Sequence, residues 1–298
     1  MVKRLGRYTD IVRGQARARF LGADMEGKIA RAEALASPCR LCERSCGADR
    51  KNGKAGACGV LEPRVSSEFL HYGEEPELVP SHTIFFAGCT FKCAFCQNHE
   101  ISQDPGCGKA IAPAELANSI ERGGGINVNW VGGDPTSNLE FILRVMKELK
   151  ALDRNIAQVW NSNMYLSKEA MDILDGVIDV YLSDFKYGND RCAKRLSGVD
   201  RYFEVVSRNH RMAAGQCEIL LRHLVMPGHL ECCTKPVLDW IAGNVPIGVL
   251  RVNVMDQYHP DFWVLREREK YPELARHLKM QEYLEACEYA RKLELDLV

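Results

Sequence analysis

Ile84-Phe85-Phe86-Ala87-Gly88-Cys89-Thr90-Phe91-Lys92-Cys93-Ala94-Phe95-Cys96-Gln97-Asn98 is an apolar run that opens into a loop holding three cysteines. Four successive apolar residues stopped by a glycine read as a buried strand that ends where the loop begins. The cysteines are spaced C-x3-C-x2-C, with no fourth in the same loop. Three thiolates can hold three irons of a [4Fe-4S] cluster and leave the fourth iron open to a ligand. A zinc knuckle or a set of buried thiols is the alternative, but zinc would call for a fourth ligand close by.

Outward from this loop the chain alternates strand and helix. Strands are expected at 83–87, 126–131, 156–161, 177–183, 217–225 and 249–254, and helices at 113–122, 138–151, 167–175, 235–243, 263–269 and 280–293. Pro113 suits the first turn of a helix, where a missing N–H costs little. Leu139, Ile142, Leu143 and Met146 recur at helical spacing. Strands alternating with helices imply a parallel sheet with right-handed crossovers. Spacing alone leaves an open doubly wound sheet and a curved barrel both standing. In either, the site lies beyond the C-terminal ends of the strands.

Chemistry-bearing residues do follow the strands. After the second comes Gly132-Gly133-Asp134-Pro135, after the third Asn161 and Asn163, and after the fourth Asp184-Phe185-Lys186. Glycines admit close approach to the backbone, and a carboxylate can accept a hydrogen bond from an ammonium group. Asp184 and Lys186 alternate along one strand face, so both can point into a barrel mouth; a surface ion pair is the plainer reading. Arg222 in an apolar strand needs a partner, either a carboxylate or a ribose. His223 and His229 are acid/base candidates, though a lone histidine is more often structural. Met255 and Gln257 close the sixth strand.

These motifs together resemble the radical S-adenosylmethionine (SAM) superfamily. The strand and C-x3-C-x2-C loop look like its opening, and Phe95 matches the aromatic that backs the adenine ring. Gly132-Gly133-Asp134 resembles the motif that binds the SAM amino group, with Asp where Glu is usual. Asp184-x-Lys186 resembles the D-x-K pair of pyruvate formate-lyase activating enzymes, near the SAM carboxylate. The strings Leu221-Arg222-His223-Leu224-Val225-Met226-Pro227-Gly228-His229 and Met255-Asp256-Gln257-Tyr258 are similar to those of an uncharacterised subgroup related to those activases.

The resemblance implies an α/β fold, a partial (β/α)6 barrel over residues 81–298 with C-terminal helices, preceded by a helix and small Cys-rich segment over 1–80. It implies a [4Fe-4S] cluster on Cys89, Cys93 and Cys96, with SAM held by Phe95, Gly132, Gly133, Asp134, Asn161, Asn163, Asp184, Lys186, Arg222, Met255 and Gln257. Lys186 and Arg222 are the expected catalytic groups. Reductive SAM cleavage to a 5′-deoxyadenosyl radical and hydrogen abstraction from a substrate follow, with a ferredoxin or flavodoxin as electron donor. Activation of a glycyl radical enzyme is one such role; modification of another protein, a peptide or a small molecule is the alternative. A non-catalytic iron–sulfur carrier is the reading from another class, but it would need no residues for SAM.

A second cysteine set precedes the barrel. Cys39, Cys42, Cys46 and Cys58 are spaced C-x2-C-x3-C-x11-C among four glycines. Four thiolates close the coordination of zinc or of a second [4Fe-4S] cluster. Cys107, Cys192, Cys217, Cys232, Cys233 and Cys287 read as small buried apolar residues, with the Cys232-Cys233 pair in a loop.

Composition narrows the class. The 298 residues include 13 cysteines, an odd and unevenly clustered number that suits metal binding in a reducing cytoplasm rather than a secreted disulfide framework. With 39 basic against 40 acidic residues, nothing points to nucleic acid. No apolar run nears the ~20 residues of a membrane helix. The start, Met1-Val2-Lys3-Arg4, leads into a basic stretch expected to be a solvated helix face, without the apolar core of a secretory signal.

Overall fold

The computed structural model describes residues 5–298; residues 1–4, the first part of the basic start, lie outside them. Helices α1 (Gly6–Val12) and α2 (Met25–Ala36) precede the Cys-rich segment, and β1 (Val65–His71) follows it. The repeating part runs β2 (Ser81–Phe86), α3 (His99–Ser102), α4 (Pro113–Arg122), β3 (Asn127–Gly132), α5 (Leu139–Ala151), β4 (Ala157–Ser162) and α6 (Lys168–Leu174). It continues through β5 (Val180–Asp184), α7 (Asp190–Ser197), α8 (Tyr202–Gln216), β6 (Glu218–Leu224), α9 (Lys235–Asn244) and β7 (Leu250–Met255). Helices α10 (Phe262–Arg266) and α11 (Met280–Lys292) end the chain.

The strands form one seven-stranded sheet in the order β1-β2-β3-β4-β5-β6-β7. β2 to β7 are parallel, and β1 joins β2 antiparallel through an irregularity between Val65 and Ser67. A doubly wound sheet reverses its strand order at a switch point. This order never reverses, so the βα units wind one way and curve into a partial (β/α)6 barrel. That settles the choice the spacing left open.

Strands β3 and β4 carry almost no exposed side chain, because helices cover one face and the barrel interior takes the other. Leu116, Ala117 and Ile120 of α4, and Leu139, Ile142 and Met146 of α5, are fully covered. Trp130 on β3 donates its indole N–H to Gln158 on β4 at 2.9 Å, whereas the equally buried Trp160 indole N–H finds no partner among the described residues.

The barrel's N-terminal end is plugged by α1. Glu218, at the start of β6, accepts from the Arg7 and Tyr8 amides at 3.2 and 2.8 Å. Asn127, at the start of β3, donates to the Tyr8 hydroxyl at 2.8 Å. The other end is left for the site. The free edge of β7 is covered by the C-terminal residues, with Val252 donating to the Asp296 carbonyl at 2.8 Å and Val298 to the Val252 carbonyl at 3.0 Å.

All six expected strands and the six expected helices are present within a few residues of their expected bounds. Three further helices, the short α3 and the longer α7 and α8, stand where the sequence predicts none, and β1 extends the sheet on the side expected to hold short strands and turns. Among the described residues no helix is long and apolar enough to cross a membrane.

Candidate functional site

A cavity of about 690 Å³ opens at the C-terminal ends of the parallel strands, within the size range of small-molecule sites. Cys89, Cys93 and Cys96 form one part of its wall, with Phe95 beside them. Gly132, Gly133 and Asp134 line it from the end of β3, and Asn161 and Asn163 from the end of β4. Asp184, Lys186 and Arg222 face it from β5 and β6, and Met255 and Gln257 from the end of β7. Residues spread over 169 positions of sequence (Cys89 to Gln257) thus share one chamber.

The cysteine loop is fixed from several sides. The Phe91 amide donates to Cys89 Sγ at 3.3 Å, Cys93 Sγ lies 2.9 Å from Ser197 Oγ, and Cys96 Sγ lies 3.2 Å from Ser102 Oγ. α7 props the loop through its last carbonyls: Lys92 and Ala94 donate to Ser197 and Leu196 at 3.0 and 2.8 Å. Arg44, from the Cys-rich segment, grips the Thr90 and Gly198 carbonyls at 2.6 and 2.9 Å. Burial, with the neighbouring Cys96, pushes the Cys93 thiol up to about 11, and burial pushes Cys89 well above its ordinary value. As free thiols these groups stay protonated; a bound cation would deprotonate them outright.

The glycines serve the protein's own packing first. A side chain on Gly133 would come within 2.1 Å of the Gly88 carbonyl oxygen, and one on Gly132 within 2.2 Å of Phe86 backbone. Asp134 then donates its amide to the Gly88 carbonyl at 3.1 Å. Its carboxylate accepts from the Thr136 amide (2.9 Å), the Asn163 amide (3.0 Å) and the Ser162 hydroxyl (3.2 Å). Burial still pushes this carboxyl up, and among the described residues no cation pairs with it. Asn163 donates to Thr90 Oγ1 at 2.8 Å and so holds the cysteine loop.

Lys186 and Asp184 form an ion pair inside the cavity, not on the surface. Burial would push the ammonium down, but Asp184 holds it above its ordinary value, so it stays charged. Phe185 between them turns the other way and stacks on His210 at 5.0 Å.

Arg222, expected beside a cofactor, lines the cavity but is already engaged. It binds Glu75 through two hydrogen bonds (2.7 and 2.6 Å) and also pairs with Glu74. Asn253 donates to Glu75 at 2.8 Å, and Arg251 on β7 pairs with Glu77. The loop after β1 is thereby tied across the open seam to β6 and β7. Glu74 and Glu75 are cavity residues that the sequence reading passed over; an adjacent acidic pair just before Pro76 in a turn-rich stretch was the available signal.

Cys39, Cys42, Cys46 and Cys58 gather around a void of about 10 Å³ behind the same loop, together with Arg50, Thr90 and Ser137. Arg50 donates to Cys58 Sγ at 3.4 Å and to the Ser137 carbonyl at 2.7 Å. Burial pushes Cys42 up to about 12. His223, a candidate acid or base, is fully buried between the Phe185 carbonyl (2.7 Å) and Thr234 Oγ1 (2.9 Å), outside the cavity.

The radical SAM superfamily profile matches residues 83–241, more than half of the chain and the whole run from the first parallel strand into α9. The chain belongs to the radical SAM superfamily. It is 46% identical over 279 residues to the uncharacterized protein MJ0674 of Methanocaldococcus jannaschii, covering 91% of this radical SAM protein and 79% of that one. It is 24% identical over 152 residues to the pyruvate formate-lyase 1-activating enzyme of Escherichia coli, covering 48% of this chain and 60% of that enzyme. Among solved structures, a radical SAM methyltransferase from Sphaerobacter thermophilus superposes with a TM-score of 0.50 at 13% identity, over 72% of this chain and 65% of that one. That superposition speaks for the fold alone.

Proposed function

We propose that this radical SAM protein is an enzyme whose cavity takes SAM beside a [4Fe-4S] cluster on Cys89, Cys93 and Cys96. The observation that carries the reading is the convergence of those thiols, the buried Asp134 carboxylate and the charged Lys186 on one chamber. Bound there, the cluster and SAM would supply one-electron cleavage of SAM and hydrogen-atom abstraction from a substrate.

The residues fit that pair of groups. Three thiols in one wall offer three ligands and no fourth, as an open iron requires. SAM carries an ammonium and a carboxylate on one carbon. Asp134 is a buried anion with acceptor capacity to spare and, among the described residues, no cation beside it, so an ammonium would relieve its burial. Lys186 supplies the opposite charge for the carboxylate, with Asp184 keeping it protonated. Phe95 offers a ring face to adenine, and Asn161, Met255 and Gln257 line the rest of the wall. Arg222 serves by closing the seam through Glu75, which excludes water from that side.

The substrate class we favour is a protein glycine, as in activation of a glycyl radical enzyme, because Asp184-x-Lys186 falls in the family shared with the pyruvate formate-lyase activating enzymes. A ferredoxin or flavodoxin would supply the electron. The four N-terminal cysteines would hold an auxiliary [4Fe-4S] cluster or zinc.

SAM titrated calorimetrically into anaerobically reconstituted protein tests the cavity assignment. Lys186→Ala and Asp134→Asn should each weaken binding about 10–100-fold, the value of one charge-assisted hydrogen bond. Wild-type affinity in both variants would contradict it.

A further inference from the structure

Thirteen cysteines are six more than the two sets above use, and three of those six gather in one place. Cys192, His229, Cys232 and Cys233 bring their donor atoms within 4.8 Å of one another, the one such group of three or more metal-ligating side chains among the described residues. None of the four lines the cavity. Cys192 comes from the first turn of α7, where the Asn189 side chain caps its amide at 2.9 Å. The other three come from a single wide turn, a five-residue π-helix over Leu230–Thr234 with His229 at its N-terminus. Such turns recur at functional sites. Here the turn aims His229 and residues three and four positions later at one point.

Four of the six separations match those of one tetrahedral ion, and the other two lie within 4.8 Å. Zinc with bonds of about 2.3 Å to sulfur and about 2.0 Å to nitrogen needs about 3.8 Å between sulfurs and about 3.5 Å from sulfur to nitrogen. Cys192 and Cys233 each lie 3.9 Å from Cys232 Sγ, and His229 Nδ1 lies 3.4 Å from Cys232 Sγ and 3.6 Å from Cys233 Sγ. Sulfurs 3.9 Å apart are far beyond a disulfide bond. The far nitrogen of the ring, Nε2, faces Glu273 at 3.5 Å, and Arg195 holds Glu273 at 2.5 Å. A carboxylate behind a histidine fixes which nitrogen ligates, an arrangement typical of metal-bound histidines.

We propose that Cys192, His229, Cys232 and Cys233 form a structural zinc site. Four protein ligands close the coordination and leave no position for substrate. The ion clamps the start of α7 to the link between β6 and α9. The far end of α7 carries Leu196 and Ser197, which prop the cysteine loop at Ala94, Lys92 and Cys93. Zinc here would therefore fix a support of the cavity. The proposal stands on these four residues and does not depend on SAM binding.

The test is metal content of the full-length protein by inductively coupled plasma mass spectrometry. Cys192→Ala should lose about one zinc per chain relative to wild type, whereas Cys107→Ala should lose none. His229→Cys should keep the zinc, since four thiolates also close a site. In chelator competition Glu273→Gln should weaken zinc binding about 10–100-fold. Equal zinc in wild type and Cys192→Ala overturns the proposal. Should Cys192→Ala not fold, cobalt-loaded His229→Cys decides: its visible bands must shift towards those of a four-thiolate site, and a spectrum identical to cobalt-loaded wild type overturns the proposal.

Discussion

At the residue scale, His223, an acid/base candidate in the sequence, and His210 show what burial does to a histidine. His210 sits between the Val206 carbonyl (2.8 Å) and Ser183 Oγ (3.0 Å), and His223 is held in the same manner. Burial pushes both down to about 4, so they are neutral hydrogen-bonding struts. Such a histidine gains its proton only on unfolding. Its stabilisation is whole above the unfolded value near 6.5 and is lost as pH falls towards about 4, worth about 3 kcal/mol for each ring. Asp179 acts the other way. Burial holds its carboxyl at about 6, so acid adds stability between about 6 and the unfolded value near 3.9. The two rings, with His82 pushed the same way, are set against Asp179 together with Asp134 and Glu218, whose carboxyls burial also raises. The histidines are expected to dominate, so stability should fall from about pH 6.5 to about pH 4.5. The urea midpoint at these two pH values measures it: His223→Gln should flatten the fall and Asp179→Asn should steepen it, whereas a wild-type midpoint that rises on acidification would refute the balance.

At the scale of elements, the junction of β3 with the cysteine loop is the tightest part of the site. Gly133→Ala would drive a methyl group against the Gly88 backbone carbonyl at 2.1 Å and Cys89 Cβ at 3.0 Å, neither of which a side-chain rotation can move away. It should cost about 1–3 kcal/mol and impair iron retention. Gly215→Ala, in α8 with nothing within 4 Å, should instead stabilise by about 0.5–1 kcal/mol. Paired thermal melts and iron content check the contrast, and equal effects at the two positions would contradict it. The repeating strands were legible because short stretches rich in apolar and β-branched residues recur between helical patterns, even though Asn129, Gln158 and Asn253 interrupt them. The loops were legible because Gly132, Asp134, Asp184 and Lys186 stand at or just past the strand ends. Helices α7 and α8 were not. α7 offers only Cys192, Ala193 and Leu196 to the core, and the buried stripe of α8 includes Ser207, Asn209 and His210, so tertiary hydrogen bonds hide the periodicity. The partner of Arg222 was also hidden, because Glu75 lies 147 residues away. The Cys192 cluster escaped for the same reason: His229-x-x-Cys232-Cys233 is a ligand pattern only once α7 brings the fourth donor.

At the scale of the molecule, one end of the barrel is plugged by α1 and its contacts with the strand starts, and the other is organised around cysteines. The loop of Cys89, Cys93 and Cys96 is held from behind by the Cys39–Cys58 segment through Arg44, and from the side by α7. The chamber thus owes its shape to two supporting cysteine groups, while its own three thiols face the space where a ligand would sit. The claim that matters most is that this chamber performs radical SAM chemistry, and release of 5′-deoxyadenosine tests it directly. Protein reconstituted anaerobically with iron and sulfide, then given SAM and a strong reductant, should release it, and Cys93→Ala should not. No release from wild-type protein with an intact, reducible cluster and bound SAM, or equal release from the variant, would contradict the account.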